Sequence, residues 1–135
     1  MGACYDVNLK IGFKNIKNKN RAIKAMRKYI KIHDGKAVDF NIEKWTQKGI
    51  TQNTFEELLQ IFFCGLPSSD MNIKQGRKWL RCYSGFDASY GWEGIMLDIF
   101  EIISPFLVDD SEMYIYPDND YDYLVVKHGQ CIQKH

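Results

Sequence analysis

Glycine and aromatic residues crowd the segment Ser84–Glu93, which has the residue types of a ligand-binding loop. The segment follows a strand-like stretch and leads into a helix-like one, so we expect a turn-rich loop that ends at a helix N-terminus. Free backbone N–H groups and the positive end of the helix dipole attract anions at such a junction. The side chains expected to line a site for a small anionic ligand belong to Arg81, Tyr83, Asp87, Ser89, Tyr90 and Trp92.

The glycines of this segment do not form a standard phosphate-binding motif. No Lys-Ser or Lys-Thr pair follows them and the GxGxxG spacing is absent, so neither a Walker loop nor a dinucleotide-binding loop is indicated. The alternative is that Asp87 or Ser89 caps the following helix and that the aromatic residues close one end of the core. The sequence alone leaves both interpretations open.

Tyrosines alternate with carboxylates near the C-terminus, in a pattern typical of an interaction surface. Tyrosine contributes a large contact area and is enriched in interface hot spots, and neighbouring carboxylates steer a basic partner. We therefore expect this hairpin to bind another protein that presents a basic surface. The predicted contact residues are Tyr114, Tyr116, Asp118, Asp120, Tyr121, Asp122 and Tyr123. The alternative is an edge hairpin whose charges prevent aggregation.

A lysine-rich helix near the N-terminus is a third candidate site. Phosphate binding by a protein requires a cluster of cations such as the one formed here. The residues expected to contact nucleic acid are Lys24, Arg27, Lys28 and Lys31. Because no aromatic stacking platform alternates with them, the alternative is a solvated lysine-rich helix face.

Metal binding and catalysis have no supporting motif in this chain. Asp118-Asn119-Asp120 resembles the start of a calcium loop, but the glycine and the terminal glutamate of that loop are missing. The four cysteines contain no CxxC pair, so we expect free thiols and no zinc site. No serine lies in a nucleophile motif and no histidine has a partner at triad spacing. We therefore expect no cofactor, no metal and no enzymatic activity.

Hydrophobic periodicity places these candidate residues on strands and helices. The predicted helices are Asn18–His33, capped by Asn20, then Asn41–Lys48, Thr54–Cys64 with a capping box, and Trp92–Ser104. The predicted strands are Tyr5–Phe13, Lys78–Ser84, Glu112–Tyr116, Tyr121–Lys127 and Gln130–Gln133, and a short strand over Met71–Ile73 is compatible with the pattern. Together they predict a single two-layer α+β domain. It would have a mostly antiparallel sheet of four to five strands, two or three helices on one face, and a C-terminal β-meander.

Length and charge set the remaining expectations. A chain of 135 residues with 45% hydrophobic residues is large enough for one domain and too hydrophobic for disorder. It contains no membrane-spanning apolar run, and we expect a cytoplasmic protein. The net charge of +1 conceals a net +8 over residues 1–48 and a net −7 over residues 49–135. Such asymmetry is typical of a protein with a charged partner or a self-complementary surface, and it allows a homodimer. The alternative is that the lysine-rich helix and the acidic hairpin each keep one face solvated.

These observations favour a small binding protein without enzymatic activity, which acts by occupying the surface of a partner protein. In its size, its lysine and asparagine content and its lack of catalytic motifs, the chain resembles small proteins of phages and mobile elements. Immunity proteins and anti-CRISPR or other anti-defence inhibitors are of this kind. The alternatives are a small-ligand or nucleotide-binding domain that uses residues 81–94, and nucleic-acid binding through the basic helix.

Overall fold

The first strand, β1 (Gly2–Ile11), lies third in the six-stranded sheet, and from Tyr5 onwards it alternates apolar and polar residues, so its two faces differ. Tyr5, Val7, Leu9 and Ile11 are buried, as the alternation predicts. The structure is a computed structural model, and it describes residues 2–36, 40–64, 71–89, 91–116 and 122–134. The predicted α+β fold class is confirmed.

All strand pairs of the sheet are antiparallel, and the sheet has six strands where the sequence predicted four to five. The extra strand is β2, which extends the short stretch Met71–Ile73 to Gln75. The strand order is β2-β3-β1-β4-β5-β6. The other strands are β3 (Leu80–Ser89), β4 (Glu112–Tyr116), β5 (Asp122–Lys127) and β6 (Gln130–Lys134). The last three form the predicted meander, in which His128 and Gly129 make the turn with positive φ angles of 53° and 74°.

The helices cover one face of this sheet. The described helices are α1 (Ile16–His33), the short α2 (Glu43–Gln47), α3 (Phe55–Phe63) and α4 (Trp92–Ile103). Their apolar stripes join the buried side of the strands in one hydrophobic cluster, which includes Met26, Phe62 and Met96. Within the described residues, no helix combines the length and the apolar content needed to cross a bilayer.

The ends of α1 and α3 show how local sequence fixes their boundaries. The α1 helix begins two residues earlier than predicted, because the Asn15 side chain rather than Asn20 caps it and accepts a hydrogen bond from the Asn18 N–H at 2.9 Å. Gly35 follows the helix with a φ of +73°, which glycine adopts without strain. Thr54 caps α3, and the Glu57 carboxylate accepts hydrogen bonds from the backbone and hydroxyl of Thr51.

The C-terminal carbonyls of α3 are satisfied by side chains from two other elements. The Trp92 indole donates to the Phe62 carbonyl at 2.9 Å, and the Ser84 hydroxyl donates to the Phe63 carbonyl. Because the last carbonyls of a helix have no partner within it, these two bonds allow the end of α3 to be buried. They also fix the start of α4 and the middle of β3 against α3.

The predicted loop Ser84–Glu93 is the main error of the sequence analysis. Ser84 to Ser89 continue β3, which pairs with β1 without interruption from Gly2↔Ser89 to Ile11↔Leu80. The long ladder to β1 therefore overrides the low strand propensity of this glycine-containing segment. Gly91 has a φ of 93° and precedes α4, which has no side-chain cap. The predicted capping by Asp87 or Ser89 is therefore wrong.

Candidate binding surface

The face of the sheet opposite the helices is uncovered in the described part of the chain. On β1, β3 and β4 the described side chains of this face are exposed or half-exposed, whereas their strand neighbours on the other face are buried. On β5, Val125 belongs to the same face by its register but is buried. We call this surface the open face. Its side chains include those of Asp6, Asn8, Lys10, Asn72, Lys74, Arg81, Tyr83, Asp87, Glu112, Tyr114, Tyr116, Tyr123 and Ile132.

The strand register brings together two groups of residues that the sequence treated as separate sites. Asn8 of β1 lies opposite Tyr83 of β3 on one side and Tyr114 of β4 on the other. Two strand spacings separate these tyrosine backbones, which is about 10 Å. Arg81, Tyr83 and Asp87 of the predicted ligand site thus belong to one continuous surface with Tyr114, Tyr116 and Tyr123 of the predicted partner site.

Three tyrosines form a ladder of parallel rings on β4 and β5. The rings of Tyr114 and Tyr123 are stacked with centroids 3.9 Å apart and an interplanar angle of 10°. The ring of Tyr116 is parallel to that of Tyr114 within 3° at 5.9 Å. The Tyr123 hydroxyl donates to Glu112 Oε2 at 2.9 Å. Hydrogen bonds to Tyr114 and to Glu112 raise the pKa of Tyr123, so its hydroxyl stays protonated. The same contacts hold the ring in place.

Tyr83 extends this aromatic surface onto β3. Its hydroxyl donates to Asp6 Oδ1 at 3.2 Å, and this hydrogen bond raises the pKa of Tyr83. Gly85 leaves room for that contact, because a Cβ there would lie 2.9 Å from the same Asp6 oxygen. Tyr83 and Tyr116 are 46% and 45% exposed, and they therefore offer the most accessible ring surface of the tyrosines on the open face.

The cations of the open face lie towards one end, together with the carboxylate of Glu112, and the carboxylates of Asp6 and Asp87 lie towards the other end. Lys10 and Lys74 both lie opposite Arg81, so three cations share one row across the sheet. Of these, Lys10 also forms an ion pair with Glu112 at 3.8 Å. Towards the other end lie the carboxylates of Asp6 and Asp87, and Asp87 accepts a hydrogen bond from the Cys4 thiol at 2.8 Å.

A shallow depression of about 270 Å³ lies at the cationic end. Cations, amides and tyrosine rings surround this depression. One of these cations, Lys10, also contacts Trp79: the ammonium groups of Lys10 and Lys78 lie over the Trp79 ring, 4.6 Å and 4.9 Å from its centroid. The lining residues of the depression include Asn8, Lys10, Asn72, Lys74, Arg81, Tyr83, Glu112 and Tyr114. Only Arg81 and Tyr83 of these were predicted as ligand residues from the sequence. Tyr114 was predicted only as a contact residue for a partner protein. The rest were missed because strand pairing, which local patterns do not reveal, brings them together.

Two of the remaining predicted residues, Trp92 and Asp122, do not join the open face. Trp92 is 1% exposed and packs in the core against Trp45, with the two ring centroids 6.2 Å apart. It therefore does not line a site with Arg81 and Tyr83. Asp122 lies opposite the buried Ile115, on the helix side of the sheet, and accepts from the Gln133 amide at 2.9 Å. Ser89 is the last residue of β3. The predicted residues Tyr90, Asp118, Asp120 and Tyr121 lie outside the described residues.

The basic helix lies on the far side of the molecule from the tyrosines. Lys24, Arg27, Lys28 and Lys31 are exposed residues of α1, which packs on the opposite face of the sheet. They are therefore a second surface, separate from the open face. Among the described residues, no group of three His, Cys, Asp or Glu side chains could hold a metal ion.

No family model, curated protein or solved structure matches this chain. Its function therefore has to be inferred from the geometry of its surfaces.

Proposed function

We propose that this protein is a non-enzymatic binding protein whose open face occupies the surface of a partner protein. The observation that carries the proposal is the tyrosine ladder of Tyr114, Tyr116 and Tyr123, held rigid on an uncovered sheet face. Side chains fixed before binding lose little conformational entropy when the partner arrives. Rigid tyrosines at the centre of a surface are therefore well suited to be binding hot spots.

The open face also has the dimensions of a protein interface. Six strands spaced about 4.8 Å apart make it about 24 Å wide, and strands of 5 to 10 residues make it roughly 17–33 Å long. Such a face has an area of about 600 Å², which approaches the roughly 800 Å² that one partner contributes to a standard interface. A small-molecule ligand would use only a fraction of it.

The charge arrangement on the open face favours a partner with a basic patch. Asp6 and Asp87 would face that patch, while Lys74 and Arg81 would fix the orientation of the complex at the other end. Charges placed in this way contribute mainly to the association rate and to the choice of partner. Occupying the surface of another protein is sufficient for inhibition, so the proposed role is that of an inhibitor.

Site-directed photo-crosslinking tests this proposal. A benzophenone amino acid is introduced separately at positions 83 and 116 on the open face, and at the exposed position 47 in α2 as a control. After irradiation in host lysate, we expect positions 83 and 116 to crosslink to the same protein and position 47 not to do so. Excess wild-type protein should suppress the crosslink. The same crosslinked protein from position 47, or a crosslink that resists competition, would refute the proposal.

A small anionic ligand is a second candidate, favoured by the depression beside Lys74 and Arg81. A phosphate there would meet three cations, and a planar ring could stack on Tyr83. Millimolar nucleotide is then expected to raise the melting temperature, because a ligand that binds only the folded state stabilises it. The shift should disappear in Arg81→Gln and persist in Arg27→Gln. No shift with any nucleotide would exclude this function.

A further inference from the structure

Five cations form a single stripe along the outward side of α1. Their spacing along the helix is 4, 3, 4 and 3 residues, which keeps successive side chains on one face. At 100° per residue they fall within an arc of about 80°. The stripe consists of Lys17, Arg21, Lys24, Lys28 and Lys31. Its centre lies almost opposite the buried side of the helix, which contains Ala22, Met26, Tyr29 and Ile30.

The positive charge of this stripe is not neutralised by the described residues. The helix has no acidic residue between Ile16 and His33. The ion pairs among the described residues use Lys10, Lys19 and Lys127, none of which belongs to the stripe. Arg27, predicted from the sequence as a contact residue, lies at the edge of the stripe and donates to the Gln52 carbonyl at 2.6 Å. The stripe is therefore a purely positive surface on a chain whose net charge is only +1.

We propose that this stripe binds the phosphate backbone of double-stranded nucleic acid, independently of base sequence. The proposal goes beyond the function assigned to the open face and uses the opposite side of the molecule. Fourteen residues of helix separate Lys17 from Lys31, a distance of about 21 Å with a cation every 5 Å or so. A row of this length can follow several consecutive phosphates, and release of their counterions drives binding.

The composition of the stripe favours the backbone of a duplex over other polyanions. Four of the five cations are lysines, which act as point charges for phosphate rather than as bidentate readers of bases. No aromatic residue lies in the stripe to stack on the unpaired bases of a single strand. The continuous apolar side of α1 is buried in the core, and its two exposed isoleucines, Ile16 and Ile32, lie at opposite ends of the helix, so they do not form an apolar face that could insert into a lipid surface.

The salt dependence of binding gives a quantitative test. Five phosphate contacts predict that log K falls with log salt concentration at a slope of about −4.5. Affinity for a 20-base-pair DNA duplex, measured by fluorescence anisotropy, should therefore drop by about 500-fold between 50 and 200 mM salt. Lys24→Gln with Lys28→Gln removes two contacts and keeps residues of good helix propensity. For this double variant we expect a slope of about −2.7 and a drop of about 40-fold.

A matched control separates the stripe from the cations of the open face. Lys74→Gln with Arg81→Gln makes the same change in net charge on the opposite side of the molecule and should leave the slope near −4.5. The proposal is overturned if this control makes the slope shallower and the α1 variant leaves it near −4.5. It is also overturned if the duplex does not bind at 50 mM salt, including the case in which only phosphatidylserine vesicles bind. Tyr83→Ala with Tyr116→Ala should not affect duplex binding, so the two proposals can fail independently.

Discussion

Alanine at Tyr83 or at Tyr116 is expected to weaken binding of the crosslinked partner by about 30-fold or more at each position. Truncation of a tyrosine hot spot costs about 2 kcal/mol or more, and 1.4 kcal/mol is a factor of ten in affinity. These two rings are the most accessible ones on the open face, so their loss removes contact area directly. The measurement is the dissociation constant for each variant by isothermal titration calorimetry.

Two controls make this result specific to the ring surface. Tyr83→Phe keeps the ring and removes only the hydrogen bond to Asp6, so its affinity should stay within a few-fold of that of the wild type. Gln47→Ala changes an exposed residue of α2 and should have no effect. A normal dissociation constant for both alanine variants, with melting temperatures unchanged, would contradict the proposed role of the open face.

Trp92→Phe is expected to destabilise the fold by about 2–4 kcal/mol, and Trp45→Phe by clearly less. Both tryptophans are 1% exposed, so the two substitutions remove a similar buried volume. The Trp92 indole donates to the Phe62 carbonyl at 2.9 Å, whereas the Trp45 indole nitrogen has no hydrogen-bond partner among the described residues. Only the first substitution leaves a buried carbonyl unpaired, which adds about 1–3 kcal/mol.

Urea unfolding followed by circular dichroism measures this difference. The free energies of unfolding of the two variants should differ by the contribution of one buried hydrogen bond. The slope of the free energy against urea concentration should be similar in both variants. Equal losses in the free energy of unfolding for the two substitutions would show that packing alone determines how much each tryptophan stabilises the fold. In that case the end of α3 would not depend on the bond from Trp92.

Local patterns in the sequence were sufficient to predict most elements of the fold. The alternation in β1 identified its buried face, and the apolar stripes of α1, α3 and α4 identified the core sides of these helices. The turn at His128 and Gly129 followed from residue type. These features depend on neighbours along the chain, which a periodic pattern records.

The errors arose where long-range pairing determines the structure. Gly85, Asp87 and Ser89 have low strand propensity, yet they extend β3 because β1 supplies a full ladder of partners. The same pairing unites Arg81 and Tyr83 with Tyr114 on the open face. One correction was available from the sequence, because alternation in β5 already places Asp122 and Tyr123 on opposite faces.

The two proposals together describe a protein with unlike surfaces on opposite sides of one sheet. The open face has rigid tyrosines and charges of both signs, whereas the outward side of α1 has cations only. If both proposals hold, a partner protein and a nucleic acid can bind at the same time. Such an arrangement would suit an inhibitor of a protein that itself acts on nucleic acid.

Hydroxyl-radical footprinting of the complex with the crosslinked partner tests the central claim most directly. Oxidation of each exposed side chain is measured by mass spectrometry for the protein alone and for the complex. We predict strong protection of Tyr83 and Tyr116 in the complex, and unchanged oxidation of the exposed Ile32 on α1. Unchanged oxidation of both tyrosines, together with protection of Ile32, would place the partner on the helical side and contradict the account.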